Sequence, residues 1–504
     1  MTTPSQPQNL LRRTTRRIGL AAILTIMVSA LYAKKPPNVI IFLADDLGYG
    51  DLGCYGHPII QTPHLDRLAK EGVRLTDCHS AGTVCSPSRA SLLTGRTPYR
   101  SGFYSIAGQP RGSHLKKEEI TLATLLKDKG YDTCFVGKWH LGKFEGQPDP
   151  GDHGFDHWFA TEVNAFDGPE SPEKFVRNGK KVGETKEWYC DAIVEEAIDW
   201  MSKRPDPNKP FFLLVCAHEP HTPIHPPESY SKRYETKQVE DLEATIDYGQ
   251  VHRPLDRPIG ENKKYYYGTV TQLDDAFGRL MKSVDDQGKR DNSLVIFTSD
   301  NGPETPVTVE ESNNEWEDPI RDRCFGTPGP WHGMKRYVLE GGHRVPGIVR
   351  WPGTVEPASI SSELVNGTDW LPTVCEMAGI PVPTDRTIDG VNIVSALKGK
   401  AADRPIPACW MYPANYDSRY LPNMAMREGD QVLIGWFEPK KTNQGTSEWI
   451  RSTPLERFSL YDLSVDRSQA YELTEKRPKE LEQMKVKMKA LWSDIQKEAP
   501  DWKQ

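Results

Sequence analysis

The most constraining feature of the sequence is a run of seven residues, 38–44, that reads Asn-Val-Ile-Ile-Phe-Leu-Ala. A strand with one solvated face alternates apolar and polar residues, whereas an unbroken apolar run is typical of a strand that is covered on both faces. Sheets covered on both faces are mainly parallel sheets that carry helices on each side. The run therefore predicts an inner strand of a helix-flanked parallel sheet.

Further apolar runs alternate with helical patterns along the chain. They predict strands over Tyr131–Val136, Phe211–Ala217 and Ser293–Thr298. Helices are predicted from Pro63, with Thr62 as cap, and over Thr121–Lys129 and Tyr265–Lys282. Strands that alternate with helices predict an α/β fold with a doubly wound sheet.

Polar side chains follow four of these strands where each strand ends. They are Asp45 and Asp46, Lys138 and His140, His218 to His221, and Asp300 and Asn301. Ligands of doubly wound sheets bind at the carboxyl ends of the strands, so we expect a binding site at this edge. Lys138 and His140 are expected on one side of an extended segment.

The pattern changes after about residue 400. Short antiparallel strands are predicted within 425–437 and 458–463, and a terminal helix carries an apolar stripe of Leu481, Met484, Met488, Leu491 and Ile495. These features predict a catalytic domain over residues 34–400 and a smaller C-terminal α+β domain over residues 401–504.

The N-terminus has the pattern of a signal peptide spanning residues 1–33. Arg12, Arg13, Arg16 and Arg17 precede an apolar run from Ile18 to Leu31 that is short for a membrane anchor. Ala30 and Ala33 offer small residues for cleavage. We expect an exported protein, periplasmic or secreted, with no stable membrane span after processing, since no other apolar run reaches that length.

Charge and cysteine content narrow the function. The net charge of −7 argues against a general nucleic-acid binder, which needs a basic face. The nine cysteines show no CxxC spacing, which argues against a zinc site. Export permits disulfides among them without requiring any.

Oxygen-bearing side chains indicate a metal site. Asp45, Asp46 and Asp300 are carboxylates, and Asn301 adds an amide oxygen. Carboxylates that gather at one sheet edge repel each other unless a cation lies among them, and oxygen ligands favour calcium or magnesium. The alternative is that each pair caps a turn or helix. Two such pairs at two strand ends favour the metal site.

Cys85 begins the most specific segment, residues 85–96, which reads CSPSRASLLTGR. Pro87 and the following residues place Cys85 at the N-terminus of a short helix, where anions are favoured, and Arg89 lies one turn further on. The sequence indicates an activated thiol beside an anion site, and the alternative is a buried structural cysteine. Further groups are available for the same anion: Lys138, His140, His218, His221, His225, Lys335 and Arg336. Near a metal and a helix N-terminus, such groups would clamp a tetrahedral oxyanion and assist proton transfer.

The segment 85–96 resembles the signature of the type I sulfatases, C-x-P-S-R followed by an ending of the L-x-T-G-R type. The resemblance continues in PNVI at 37–40, GKWHLG at 137–142, GFD at 154–156, PHTP at 220–223, SDNG at 299–302 and EGGHRVP at 340–346. The run TPYRSGFY at 97–104 and the loops on the metal side resemble the arylsulfatase and N-acetylgalactosamine-6-sulfatase group, which supports a sulfated carbohydrate as substrate.

The resemblance implies an alkaline-phosphatase-like mixed sheet flanked by helices, and a formylglycine that a maturase makes from Cys85. It implies one calcium ion with the ligands Asp45, Asp46, Asp300, Asn301 and the modified Cys85. Arg89 and Lys138 would support the hydrated aldehyde, and His140 would be the base for its collapse. His221 and Lys335 would contact the sulfate and the leaving oxygen, one of them as general acid. Several sulfatases have a sulfate-contacting serine after the GFD motif, and this chain departs from that pattern, with Asn164 as the nearest polar residue.

Two other functions stay open at this point. The first is a phosphatase or phosphonate monoester hydrolase of the same superfamily, which would act on a phosphorus ester. The second is an inactive protein that binds sulfated glycans. The presence of Cys85, Arg89, Lys138, His140 and His221 argues against an inactive binder.

Overall fold

The computed structural model of the protein describes residues 36–108, 110–165, 168–236, 245–247, 252–254, 260–304, 324–413 and 423–502. The predicted signal peptide at 1–33 lies outside these residues. Within them, no helix is both long enough and apolar enough to cross a membrane. Residues 37–504 form one compact unit.

The strands of the described residues are short in the periphery and longer in the centre. In chain order they are β1 (Asn38–Ala44), β2 (Val73–Leu75), β3 (Cys78–His79), β4 (Asp132–Lys138), β5 (His157–Thr161), β6 (Val176–Arg177), β7 (Lys180–Lys181), β8 (Phe211–Cys216), β9 (Thr245–Asp247), β10 (His252–Pro254), β11 (Ser293–Ser299), β12 (Gly347–Arg350), β13 (Ser359–Ser361), β14 (Val365–Asn366), β15 (Ala408–Tyr412), β16 (Asn423–Glu428), β17 (Gln431–Phe437) and β18 (Leu455–Asp462).

The α-helices lie between these strands and after them. In chain order they are α1 (Pro63–Glu71), α2 (Cys85–Thr94), α3 (Leu122–Asp128), α4 (Tyr189–Ser202), α5 (Glu228–Ser231), α6 (Gly260–Asp286), α7 (Glu340–His343), α8 (Trp370–Ala378), α9 (Thr446–Ser452) and α10 (Pro478–Glu498).

The main sheet has ten strands in the order β13-β2-β12-β11-β1-β8-β4-β5-β6-β7. The inner strands β11, β1, β8, β4 and β5 are parallel, while β12 and β6 pair antiparallel with their inner neighbours. Alternate residues of β1 enter opposite cores, with Ile40 and Phe42 on one face and Val39 and Ile41 on the other. The predicted mixed α/β sheet flanked by helices is confirmed.

Several element boundaries differ from the predicted ones for identifiable reasons. Strand β4 runs on to Lys138, because Gly137 adopts a φ of +107° and a Cβ there would lie 1.9 Å from the carbonyl oxygen of Cys216. The range 425–437 contains two strands, since Gly429 has a φ of +57° in the turn between them.

A second, four-stranded antiparallel sheet is formed by β15, β16, β17 and β18. The apolar stripe of α10 packs on it, and Met484, Met488 and Ile495 are buried against Met424 and Leu433. The predicted C-terminal α+β architecture is confirmed, although strand β15 was not expected. The domain boundary at residue 400 stays a prediction.

A buried ionic cluster joins the C-terminal sheet to the rest of the fold. Arg427 of β16 donates from Nη2 to Asp77 Oδ2 at 2.7 Å and lies 3.3 Å from Glu340 Oε2 through Nη1. Arg344 donates to Glu340 at 2.8 Å, and His79 lies 2.7 Å from Asp77. Burial raises the pKa of Glu340, but Arg427 and Arg344 outweigh it and lower that pKa to about 2.

We predict that Arg427→Met lowers the free energy of unfolding by about 3–5 kcal/mol, because Asp77 and Glu340 lose a buried counter-charge. Urea unfolding measures the change. The control is Lys487→Met, which removes an exposed ion pair with Glu428, the neighbour of Arg427 on β16, and should cost less than about 1 kcal/mol. Equal losses of unfolding free energy in the two variants would contradict the stabilising role of the buried ionic cluster.

Candidate active site

The ends of β1 and β11 bring three carboxylates together. Asp45 and Asp46 follow β1, and Asp300 follows β11. The backbone N–H of Asp46 donates to Asp300 Oδ1 at 3.2 Å, and that of Asp300 donates to the carbonyl oxygen of Ala44 at 3.1 Å. Asp46 has a φ of +63°, a conformation that Asp tolerates better than most residues. All three carboxylates are buried.

Arg89 of α2 connects these carboxylates to β4. Its Nε and Nη2 donate to Asp300 Oδ2 at 3.0 and 2.7 Å, and Nη2 also donates to Asp45 Oδ2 at 3.2 Å. Its Nη1 donates to the carbonyl oxygen of Lys138 at 2.8 Å. The planar guanidinium suits this because its donors form a fixed fork. Arg89 therefore fixes the ends of three strands relative to helix α2.

Two lysines compensate the remaining charge. Lys138 Nζ donates to Asp45 Oδ2 at 2.5 Å, and Lys335 Nζ donates to Asp46 Oδ2 at 2.7 Å. Burial raises the pKa of Asp45, but Lys138 and the other nearby cations outweigh it and hold that pKa well below its usual value. Burial raises the pKa of Asp46 to about 7, because the attraction of Lys335 is smaller than the cost of burial.

The carboxylates belong to a group of atoms that could hold a metal ion. One ligand atom each of Asp45, Asp46, Cys85 and His221 lies within 4.8 Å of the others. Asn301 donates from Nδ2 to Asp46 Oδ1 at 2.6 Å. Asp45 Oδ1 and Asn301 Oδ1 are buried without a hydrogen-bond partner among the described residues. Because an unsatisfied buried oxygen is costly, both oxygens fit ligands of a cation.

Asp300 is oriented differently from the other two carboxylates. Its Oδ2 accepts both Arg89 bonds and its Oδ1 accepts the N–H of Asp46. It is absent from the group of atoms within 4.8 Å. Its expected role as a metal ligand stays a prediction.

Cys85 is the first residue of α2, as expected, and is 2% exposed. Burial raises the pKa of its thiol to about 11, although Lys138 and Lys335 act in the opposite direction. The expectation of an activated thiol is therefore wrong for the unmodified side chain. The electropositive surroundings are present, but loss of solvation on burial destabilises the thiolate more than the nearby cations stabilise it.

The histidines of the region lie in different surroundings. His140 is buried with a φ of +53°, so the segment is not extended there as expected. Burial, with Lys138 and Arg89 nearby, lowers the pKa of His140 well below its usual value. His221 lies 3.6 Å from Asp46 through Nε2. His225 is half exposed beside Glu170, outside the cluster.

Asn164 also reaches the cluster. Its Nδ2 donates to Asp45 Oδ2 at 3.1 Å and lies 3.2 Å from Nδ1 of His218. The sequence reasoning missed Glu304, which is buried, pairs with Arg336 at 2.5 Å and lies 3.5 Å from Lys335. Its only sequence signal is its position four residues after Asp300, in a segment that also holds Asn301.

The geometry can be compared with known proteins. The family model described as Sulfatase matches residues 37–380, and a second model, described as N-sulphoglucosamine sulphohydrolase, C-terminal, matches residues 330–438. The chain belongs to the sulfatase family. Members of this family hydrolyse sulfate esters, and the residues of the cluster fall within the first match.

Individual sulfatases are similar to this chain in sequence and in structure. The chain is 33% identical to human N-acetylgalactosamine-6-sulfatase over 399 residues, which cover 74% of this chain and 68% of that protein. It is 31% identical to human arylsulfatase A over 482 residues, covering 90% and 86% of the two chains. The crystal structure of Ps i-CgsB in complex with k-i-k-neocarrahexaose has a TM-score of 0.73 at 25% identity and covers 93% of this chain and 94% of that one.

We predict that Arg89→Lys lowers the free energy of unfolding of this sulfatase by about 1–3 kcal/mol, because one ammonium cannot replace the forked contacts to Asp300 and Lys138. Chemical denaturation measures the loss. The matched control is Arg67→Lys, since Arg67 is exposed and pairs with Glu71 one turn away, and it should change by less than about 0.5 kcal/mol. An Arg89→Lys protein as stable as the control would count against the bridging role.

Proposed function

We propose that this sulfatase removes sulfate from a sulfated carbohydrate, with a formylglycine made from Cys85 and one calcium ion. The observation that carries the proposal is the position of Cys85 at the start of α2, with its sulfur in the group of atoms that includes Asp45, Asp46 and His221. In that position a reacting group at residue 85 meets the metal site and the cationic side chains together.

Calcium is the proposed metal because the candidate ligands are hard oxygens. The residues that would hold it are Asp45, Asp46, Asp300 and Asn301, with the modified side chain of residue 85. One oxygen each of Asp45 and Asn301 has no hydrogen-bond partner in the described part of the chain, which supports this assignment. Bound calcium supplies a Lewis acid that offsets negative charge on an ester oxygen.

The nucleophile is proposed to be the formylglycine, which supplies a hydrated aldehyde with two hydroxyls. Lys138 and Arg89 carry positive charge that interacts with residue 85, and they lower the cost of negative charge there. The free N–H groups at the start of α2 act in the same direction. These groups are held by buried hydrogen bonds, so they need little reorganisation when charge develops.

His140 is proposed as the base that accepts a proton from the side chain of residue 85. Its Nδ1 is buried and has no hydrogen-bond partner among the described residues. The backbone N–H of His140 donates to the carbonyl oxygen of Glu162 at 2.9 Å, which fixes the residue in its left-handed conformation. A base held in this way can accept a proton without first breaking another bond.

His221 and Lys335 are proposed to contact the sulfate group and the leaving oxygen, one of them as general acid. Both lie beside Asp46, at 3.6 and 2.7 Å from its Oδ2. The carbonyl oxygen of Thr222 lies 2.5 Å from His221 Nδ1 and orients the ring. Asn164 is proposed as a further sulfate contact on the side of Asp45.

A sulfated carbohydrate is the proposed substrate class. The human relative at 33% identity is named N-acetylgalactosamine-6-sulfatase, and Ps i-CgsB was crystallised with k-i-k-neocarrahexaose. We further propose that the chain is exported through the signal peptide at 1–33, to the periplasm or the medium, and that a formylglycine-generating maturase is its partner during synthesis.

Two assays test the proposed function. The first compares the hydrolysis of 4-nitrophenyl sulfate and 4-nitrophenyl phosphate by protein made together with a maturase. The second measures sulfate release from defined sulfated sugars, including N-acetylgalactosamine 6-sulfate and sulfated galactan oligosaccharides. A higher kcat/KM for the phosphate would replace the proposal with a phosphatase or phosphonate monoester hydrolase, and no hydrolysis of any ester would favour an inactive binder.

We predict that calcium raises the Tm of the wild-type protein by a few degrees and that Asp45→Asn removes most of this increase, because a ligand that binds only the folded state stabilises it. Thermal melts with calcium and with a chelator measure both values. The control is Asp369→Asn, a buried carboxylate paired with Arg404 outside the cluster, which should lower the Tm but keep the calcium response. A calcium response that survives in Asp45→Asn would refute the metal site.

We predict that Cys85→Ala folds normally and loses sulfate-ester turnover by roughly 10⁴-fold or more, because the residue supplies the nucleophile. Peptide mass spectrometry across residues 83–89, paired with rates of sulfate release, makes the measurement. Cys375→Ala, which removes another buried thiol, should keep the wild-type rate apart from any change in stability. Full activity from protein whose Cys85 is entirely thiol would overturn the mechanism.

A further inference from the structure

A pocket adjoins the candidate active site at the carboxyl edge of the main sheet. Its volume is about 310 Å³. It lies beyond the end of β5 and beside the hairpin of β6 and β7. We call it the hairpin pocket and define it by the lining residues Phe144, Glu162, Glu173, Lys174, Val176 and Lys181.

The hairpin pocket is connected to the active site through short contacts. Asn164 lines the pocket, and its Nδ2 donates to Asp45 Oδ2 at 3.1 Å. The carbonyl oxygen of Glu162 accepts from the backbone N–H of His140 at 2.9 Å, and its carboxylate accepts from the N–H of Phe144 at 2.7 Å. Asn164 therefore forms a wall that the pocket shares with the active site, and the pocket lies next to the carboxylate of Asp45.

The register of the hairpin turns one lysine toward the pocket and its neighbour away. Lys181 pairs with Val176 across the two strands, and both line the pocket. Lys180 pairs with Arg177, whose guanidinium binds Glu196 on the opposite side. Since successive side chains of a strand point to opposite faces, Lys180 and Arg177 face away.

The lining combines the three kinds of group that bind a charged sugar. The ammonium group of Lys181 matches a sulfate or carboxylate. The carboxylates of Glu162 and Glu173 accept hydrogen bonds from hydroxyls. The ring of Phe144 and the exposed side chain of Val163 offer apolar surface for the C–H face of a sugar ring. A purely apolar or purely cationic ligand would leave part of this lining unmatched.

We propose that the hairpin pocket binds the sugar unit next to the one whose sulfate is removed, and that Lys181 contacts an anionic substituent of that unit. The proposal rests on the proposed sulfatase function and deepens it, because it makes the enzyme prefer a sulfated oligosaccharide over a sulfated monosaccharide.

The test uses two series of competitors against the hydrolysis of 4-nitrophenyl sulfate, an ester too small to reach the pocket. One series contains N-acetylgalactosamine 6-sulfate and two tetrasaccharides in which this sugar alternates with glucuronic acid. One tetrasaccharide is sulfated on both galactosamines, and the other on the terminal galactosamine alone. The other series contains galactose 4-sulfate and sulfated galactan oligosaccharides. The wild-type inhibition constant should be lower for the oligosaccharide in at least one series, by about tenfold for one charge-assisted contact.

Lys181→Ala should remove most of this preference for longer competitors. The matched control is Lys180→Ala, which removes the same charge one residue away on the opposite face and should keep the preference. In the galactosamine series, the unit next to the terminal one is glucuronic acid, so a preference that needs only the terminal sulfate identifies its carboxylate as the anion and supports the pocket. A preference that needs the inner sulfate places the contact one unit further along and contradicts the proposal.

Three further results would overturn the proposal. They are equal inhibition constants for monosaccharides and oligosaccharides in both series, equal effects of Lys180→Ala and Lys181→Ala, and a length preference unchanged in Lys181→Ala. If matured wild-type protein fails to hydrolyse the aryl sulfate, the proposed function fails instead. Calorimetric titration of the same monosaccharides and oligosaccharides then gives dissociation constants for the wild-type, Lys180→Ala and Lys181→Ala proteins. The preference for the longer ligands, compared among the three proteins as before, decides about the pocket.

Discussion

The candidate active site depends on the burial of three carboxylates at one edge of a parallel sheet. Asp45, Asp46 and Asp300 are excluded from solvent, and carboxylates in such surroundings are unstable as anions without compensation. Arg89, Lys138 and Lys335 supply it through contacts of 2.5–3.2 Å. Because the three cations come from α2, from β4 and from a turn before α7, the site exists only when all three parts of the fold are in place.

The parallel register of the sheet is what makes this compensation possible. β1 lies between β11 and β8, with all seven of its residues paired to β11, so Ala44 and Ser299 end side by side. The next residues of the two strands are then the acids Asp45 and Asp300. On the far side of β8, Gly137 permits the close approach that brings Lys138 to the same edge. The chemistry of the site therefore follows from where buried strands end.

The sequence allowed much of this to be predicted, because the information is local. The apolar run before Asp45 indicates an inner strand, and the polar residues after several such strands indicate a shared edge. The position of Cys85 at a helix start follows from Pro87 and the residues after it. The two pairs of oxygen-bearing residues favour a calcium or magnesium site over helix caps. The resemblance to the sulfatases adds the choice of calcium and of a formylglycine nucleophile.

Other features could not be predicted, because they depend on contacts between distant residues. No local pattern shows that Asp300 turns toward Arg89, or that burial dominates the pKa of Cys85 despite the nearby cations. Glu304 reaches the site through Arg336, which follows it by 32 residues, and through Lys335. The ionic cluster of Asp77, Glu340 and Arg427 joins three parts of the chain that are separated by 87 residues or more. Only the folded chain brings these charges together.

The segment that carries Lys335 shows how the two sheets depend on each other. On one side, the N–H groups of Lys335 and Arg336 donate to the carbonyl oxygens of Pro303 and Thr83 at 3.0 and 2.9 Å. On the other side, the C-terminal part of the chain holds Glu340, through Gln469 Oε1 at 2.9 Å and through Arg427.

The ammonium of Lys335 reaches Asp46 from a backbone fixed in this way at both ends. A buried lysine has many rotamers to lose, so a fixed backbone leaves only its side-chain entropy to be offset by the contact with Asp46. The C-terminal sheet therefore contributes to the active site without supplying any of the residues that carry its charge. This contribution gives a physical reason why residues 37–504 behave as one compact unit.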